Sequence, residues 1–388
     1  MDTQDLISNF HPRPGFSRRS EMAAYLRELI VSGKVAAGTK LPPMGILATA
    51  WGTHPPAVQA AMNALVKEGL VLRLMGRGTF VREKTTGLRQ VALYISGNRW
   101  AGQANTFVGH LMPTLVDHFG ELGVRAQPWI SRRPRHLADQ PWEELESAAK
   151  RREIQGVIVA ATDQREAAWL MKLPVPVVFL AGMSFPNRLA LSLDGAISES
   201  IAHLASCGCR SIGLITVFSR FNKDSSGNKV DSVRFFERFF QLAADHGLKV
   251  KESWIPAPEV DVPEKSAAKF GYDSFHQLWN QSEKPDALVV HTDVVAHGVL
   301  MALGQRQVRV PHDLRLVLHR NVEMGLFCPV PASFIDLHIQ KVATTLADLL
   351  QRLCRGESVP QPMTVEAEFV PESVAAGLDA HATTALAG

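Results

Sequence analysis

Gly38-Thr39-Lys40-Leu41-Pro42 and, further along, Gly76-Arg77-Gly78-Thr79-Phe80-Val81 bracket the stretch that decides how this chain is read. Ahead of it, Ser20 to Ser32 carries Met22, Leu26, Leu29 and Ile30 near helical spacing. Gly33 follows where a left-handed residue commonly ends a helix. Pro42 and Pro43 suit the entry of a second helix, which holds Ile46, Leu47 and Ala48 and stops before Gly52. Thr53 or His54 stands at a cap position ahead of Pro55 and Pro56. Val58, Met62 and Leu65 then line one face of a third helix, closed by Gly69. Val71-Leu72-Arg73-Leu74 alternates like a strand, Met75-Gly76-Arg77-Gly78 turns, and Thr79-Phe80-Val81-Arg82 returns. A helix pair with a short turn places its second helix in a DNA major groove. A glycine-bearing hairpin of this kind is expected to act as a wing, able to lie close to the DNA backbone and to insert Arg77 into a minor groove.

Charge agrees with that order. Residues 1–84 hold eleven Lys and Arg against six Asp and Glu, a net +5, while the whole chain is +3, so the remainder is −2. A basic front on a slightly acidic body is the electrostatic footprint of a nucleic-acid contact. The plainer alternative is a winged helix that binds only protein and keeps a solvated basic face. The candidate DNA contacts are Arg18, Arg19, Lys40, Thr53, His54, Pro56, Ala57, Gln59, Arg73, Gly76, Arg77, Gly78 and Thr79.

These residues carry a family resemblance. Ile30, Gly33, Gly38-Thr39-Lys40-Leu41-Pro42, Leu47-Ala48, Ala61, Leu65, Glu68-Gly69-Leu70 and Gly76-Arg77-Gly78-Thr79-Phe80-Val81 together resemble the GntR-type winged helix of bacterial transcription regulators, over residues 18–82. The chain departs from that family at Pro43-Met44-Gly45, where Ser-Glu-Arg is usual. It departs again at His54-Pro55-Pro56-Ala57-Val58-Gln59, where Ser-Arg-x-Thr-Val-Arg is favoured. An arginine fork on guanine discriminates by about 1–3 kcal/mol, so the family's operator does not carry over. Gln59 suits adenine, and His54 a phosphate or a base edge.

The rest of the chain reads as a second, larger domain. With 388 residues there is room for both. No secretory apolar core or long apolar run is visible, so the expected location is the cytoplasm, with no membrane partner. Cys207, Cys209, Cys328 and Cys354 form no two-residue-spaced pair and read as small buried or half-buried residues, with no metal expected. Residues 1–17 and 375–388 read as loose tails, and 84–88 as a linker. Strand signals at Val91–Ile95, Gly156–Ala160, Val175–Leu180, Ile212–Ile215, Ala287–Val290 and Leu314–Leu318 alternate with helical ones. The expected class is therefore α/β with parallel sheets, enough for two sheets and a cleft. Ligands of such sheets bind outside the carboxyl ends of the strands. That rule selects Ser96 to Trp100, Phe218 to Lys223, His291 to Asp293, and His319 to Asn321. The candidates drawn from it are Ser96, Asn98, Trp100, Phe218, Asp293 and His319. Phe107, at the head of the next helix, joins them. For Asp293, N-capping of the following helix is an equally good reading.

The body also resembles the effector domain of LacI-type regulators and periplasmic sugar-binding proteins. The carriers are Leu193-Asp194-Gly195, Ala202-His203-Leu204, Ser211-Ile212-Gly213-Leu214, Ser232 with Arg234-Phe235-Phe236, Pro285-Asp286-Ala287, Thr292-Asp293 with Ala296 and Gly298, and Ser333-Phe334-Ile335-Asp336. The resemblance implies that Arg234 and Asp293 contact effector, and an Arg/Asp pair suits sugar hydroxyls. The family's Gly-Tyr-Asp-Asp is replaced by His319-Arg320-Asn321-Val322. The two resemblances together imply a winged helix over 18–83 and an effector domain over 89–374. One lobe would hold 89–190 with 334–358, the other 192–330 with 362–374. The expected function is a dimeric repressor that binds operator DNA and answers to a small molecule, a sugar, with no cofactor. An enzyme on the α/β body is the alternative. No Gly-x-Gly-x-x-Gly, Gly-x-x-x-x-Gly-Lys, Gly-x-Ser-x-Gly or His-Glu-x-x-His supports it.

Overall fold

The computed structural model describes residues 10, 18–32, 34–36, 38–68, 70–74, 78–81, 88–96, 106–162, 164–180, 185–221, 231–360 and 362–372. Gly33, Gly69, the wing tip, residues 82–87 and the tail from 373 lie outside them. The chain divides into two compact units.

The front unit contains the winged helix. Helices α1 (Arg18–Val31), α2 (Met44–Ala50) and α3 (Pro55–Lys67) precede strands β1 (Val71–Leu74) and β2 (Gly78–Val81). Met22, Leu26, Leu47, Trp51, Val58, Met62, Leu65, Val71 and Val81 close a single apolar core. The hairpin pairs Val71 with Val81 and Leu74 with Gly78. Residues 38–41 add a further pairing to β2: Gly38 N donates to Val81 O (2.9 Å), Leu41 N to Thr79 O (2.8 Å) and Val81 N to Thr39 O (2.9 Å). Phe10 is half-buried, not loose, with its ring 4.9 Å from Trp51 and 5.3 Å from Tyr25. Two aromatic partners hold it to the core, so the expected loose tail is pinned at this residue.

The body contains β3 (Gln90–Ser96), α4 (Thr106–Glu121), β4 (Arg125–Ser131), α5 (Glu143–Lys150), β5 (Gly156–Ala161), α6 (Gln164–Leu170), β6 (Val177–Leu180) and β7 (Arg188–Ser192). It continues with α7 (Asp194–Ser206), β8 (Ile212–Thr216), α8 (Asp231–Asp245), α9 (Glu264–Trp279), β9 (Ala287–His291), α10 (Asp293–Gln305) and β10 (Arg315–Asn321). It ends with β11 (Ser333–Leu337), α11 (Ile339–Cys354), β12 (Met363–Glu366) and β13 (Glu368–Val370). One sheet runs β12-β7-β6-β5-β3-β4 and the other β13-β11-β10-β9-β8. In the second sheet β8 to β11 are parallel, and β13 pairs antiparallel with β11. Alternate residues face opposite layers. Ile212, Leu214, Val289 and Val317 pack against α7 and α8, while Ile215, Leu288, Val290 and Leu318 pack with α9 and α10.

The chain passes between the sheets three times, and two of the passages fall later than the resemblance implies. Residues 334–337 belong with β11 in the second sheet, because Val317↔Ser333 to Asn321↔Leu337 are in parallel register. The passage therefore lies at His338, where α11 begins. Residues 363–366 belong to the first sheet through Met363↔Leu189 to Glu366↔Ser192, so only Ala367 separates them from β13.

Candidate functional site

Helix α3, where the sequence places its candidate DNA contacts, begins with His54 as its N-cap, whose side chain makes no capping bond, followed by Pro55 and Pro56. His54, Pro56 and Gln59 are exposed, and Thr53 and Ala57 half-buried. Bidentate bonds from Arg27 to Glu68 (2.7 and 2.6 Å) tie α1 to the far end of α3. They raise the guanidinium's pKa and lower the carboxyl's. At the wing base Gly78 has φ +119°, and a Cβ there would lie 2.9 Å from Lys40 Cε. Glycine thus provides both the left-handed turn and the room for Lys40. Lys40 and Arg73 are exposed and Thr79 half-buried. Arg73 reaches back to Met44 Sδ at 4.0 Å. Arg18 and Arg19 open α1. Gly76 and Arg77 lie outside the described residues.

In the body, strand register assembles what the sequence only scatters. Thr216, His291 and His319 stand side by side on β8, β9 and β10, since Thr216 pairs with His291 and the β9–β10 register continues from Leu318↔Val290. All three are buried. Thr216 Oγ1 lies 3.4 Å from His291 Nδ1, and the two imidazole rings meet edge-on at 4.8 Å. One step nearer the carboxyl edge, Asn321 Nδ2 donates to Asp293 Oδ2 at 2.9 Å. Asp293 is buried and is the first residue of α10, with Thr292 as the cap, so it does not act as the N-cap itself. Phe218 and Phe235 close on His291, with ring centroids at 4.9 and 5.7 Å. Arg234, on the same turn of α8 as Phe235, is exposed.

This cluster is rich in polar atoms that the protein does not fully satisfy. Among the described residues, His319 Nδ1 and Asn321 Oδ1 are buried without a hydrogen-bond partner. Burial pushes the His291 pKa well below its ordinary value, and His319 adds to the effect. Burial also lowers His319, against the pull of Asp293 and Asp336. Burial thus favours the neutral form of both rings. On the opposite face of β10, Arg320 makes a bidentate pair with Asp336 (2.7 and 3.0 Å) and lies 3.9 Å above the Phe334 ring. That pair holds β11 to β10.

Phe218, Asp293 and His319 are thus brought together. Thr216 and Phe235 complete the set without having been singled out, because a mid-sheet threonine and a helix phenylalanine give no local signal. Ser96 is buried at the end of β3 in the other sheet, and Phe107 is half-buried in the first turn of α4. Asn98 and Trp100 lie outside the described residues. The first sheet has its own buried polar group: Tyr94, Ser131 and Glu166, walled by Trp142 and Trp169 at 6.3 and 5.8 Å from the Tyr94 ring. Burial, and then Glu166, raise the Tyr94 pKa. Among the described residues no group of three His, Cys, Asp or Glu is placed to hold a metal.

Comparison with known proteins matches each unit separately. Residues 18–81 match the model of bacterial regulatory proteins of the gntR family, and residues 201–372 the periplasmic binding protein-like domain. The chain is 26% identical to the HTH-type transcriptional repressor PurR of Glaesserella parasuis, over 47% of this chain and 50% of that protein. It is 24% identical to the HTH-type transcriptional repressor MelR of Bacillus subtilis, over 56% of this chain and 62% of that one. The chain thus spans about half to three fifths of the length of these relatives. A solved complex of the transcriptional regulator CelR with cellobiose superposes with a TM-score of 0.56 at 16% identity, over 85% of this chain and 94% of that one. From its front to its body, the chain joins a segment that matches the gntR-family model to one that matches the periplasmic binding protein-like model, and the fold of its body is similar to that of a LacI family transcription regulator from Clostridium acetobutylicum (TM-score 0.54, 20% identity, over 73% of this chain and 98% of that one).

Proposed function

We propose that this chain is a DNA-binding transcription regulator, a repressor, whose body binds a small-molecule effector. The observation that carries the reading is the pair of buried atoms His319 Nδ1 and Asn321 Oδ1. Among the described residues they have no partner, and they lie at the carboxyl edge of the second sheet, in a chain whose front is a winged helix. Buried polar groups are ordinarily paired, and this edge is where ligands of parallel sheets bind. Asp293, His319, Asn321 and Phe218 form the proposed effector site in the second lobe, and exposed Arg234, beside Phe235 on α8, is proposed to join them. From the first lobe, Ser96 and Phe107 are the proposed contacts, together with Asn98 and Trp100, which lie outside the described residues. A sugar is the proposed effector: hydroxyls match the amide and carboxylate edge, and the superposed CelR carries cellobiose. The relatives found are regulators and not enzymes, and the chain acts in the cytoplasm. No helix among the described residues is long and apolar enough to cross a membrane.

The mechanism is a population shift. Two copies place two winged helices on two half-sites, and effector favours the arrangement in which their spacing no longer fits. The shift extends only as far as the effector's differential affinity for the two arrangements. Selection of duplexes from a random pool tests the first half, and thermal-shift screening of sugars the second. A palindromic site, released by a sugar that stabilises the protein, is the expected result. A monomer on its selected site, or Asp293→Ala and Arg234→Ala variants that respond normally to the effector, would sink the dimer or the site.

A further inference from the structure

Ahead of Lys67, the face that α3 turns to solvent carries no formal charge. From His54 to Val66 the chain has no Arg, Lys, Asp or Glu. The exposed residues there are His54, Pro55, Pro56, Gln59, Asn63 and Val66, with Ala57 and Ala60 half-buried. Major-groove chemistry is selective about such a surface. Guanine is read by Arg or Lys and cytosine by Asp or Glu, whereas adenine is read by the carboxamide of Gln or Asn and the thymine methyl by apolar contact. Gln59 lies one turn from Pro55 and Pro56, and Ala60 one turn from Pro56, so amide and apolar groups share one strip.

The helix end reinforces this chemistry. A helix N-terminus ordinarily offers free backbone N–H groups to a phosphate. Here Pro55 and Pro56 have none, and the N–H groups of Ala57 and Val58 both turn back to His54 O (2.9 and 3.4 Å). The groove-facing end is therefore an apolar surface and not an anion clamp. The exposed cations Lys40 and Arg73 belong instead to the wing, Arg73 on β1 and Lys40 paired with Phe80 of β2.

We infer that the recognition helix reads a half-site core of A·T pairs, with the Gln59 carboxamide on adenine N6 and N7 and with Pro56 and Ala60 against thymine methyls. Asn63 extends the same uncharged strip by one turn. The inference rests on the regulator reading above and specifies what its operator contains.

The test uses the full chain. Duplexes selected from a random pool are sequenced, and the selected site is remade with deoxyuridine for core thymines or 7-deaza-adenine for core adenines. A core of A·T pairs is expected. Each lost methyl should weaken binding about fourfold, and 7-deaza-adenine about fivefold or more. Gln59→Ala should flatten the preference at one pair. Gln59→Arg, at an exposed position that tolerates it, should move that preference from adenine to guanine by about tenfold or more. A selected G·C core would overturn the inference while leaving the regulator reading intact. So would an A·T core indifferent to both analogues, since it would then be recognised by groove shape. Failure to enrich any sequence would instead remove the regulator reading and this inference with it.

Discussion

Asn321 does two things with one amide. Its nitrogen donates to buried Asp293, and its oxygen stays buried and open. Removing the donor leaves a buried carboxylate short of a bond, which costs about 1–3 kcal/mol. Asn321→Ala is expected to lower the unfolding free energy by that order in urea titration and to weaken effector binding. An unchanged midpoint would mean that the bond does not hold Asp293. The histidines give a second expectation, because burial holds both below their ordinary value. Between that depressed value and about 6.5 the unfolded chain binds more protons, so this contribution to stability is full above about pH 6.5 and is lost as pH falls. Thermal unfolding followed from about pH 7.5 to about pH 5 should show a falling midpoint. In His291→Gln the fall should be shallower, and parallel curves would assign the slope to other groups. The sequence showed Asp293 and His319 as residues following strands. It could not show that His319 stands beside His291, because only register sets that, and register is a property of pairs of strands.

Elements with long apolar stripes or continuous apolar runs were legible, and those with neither were not. The buried strands β3, β5, β8, β9 and β10 and the helices α4, α7 and α8 lie where the pattern places them. The strand β4, Arg125–Ser131, was missed. It is a sheet edge whose burial follows no clean alternation, and a proline interrupts it. Strands β7, β12 and β13 are short. Helix α9 was missed because its contact with α10 is made partly by small residues. A Cβ on Gly298 would lie 1.8 Å from Ala268 O, and one on Gly271 2.3 Å from Val295 O. Such a contact leaves no apolar stripe to count. Gly298→Ala must push the two helices apart, at a cost of about 1–3 kcal/mol. Gly304→Ala, on the same helix with nothing within 4 Å, is expected to be neutral or to stabilise by about 0.5–1 kcal/mol. Thermal unfolding of the two variants distinguishes them, and equal losses would refute the close approach as the cause.

At the scale of the whole chain, the proposed two-copy arrangement predicts that a duplex with both half-sites binds about a hundredfold or more tighter than one with a single half-site, since the second contact is made at high effective concentration. Equal affinities in gel-shift titration would point to one copy per site. The winged helix closes its core from residues near in sequence, Met22 to Val81. Neither lobe of the body does so. The first sheet runs from Gln90 to Ser192 and then waits for Met363–Glu366, and the second needs Glu368–Val370 beside Ser333–Leu337. During synthesis the front can therefore fold while the body is still being made, because domains generally fold as units, N-terminal first. Both sheets gain their last strands from one short stretch around Ala367. If the proposed function holds, a ribosome that stalls before that stretch would release a DNA-reading module without a finished sensor, a species able to occupy operators but deaf to effector.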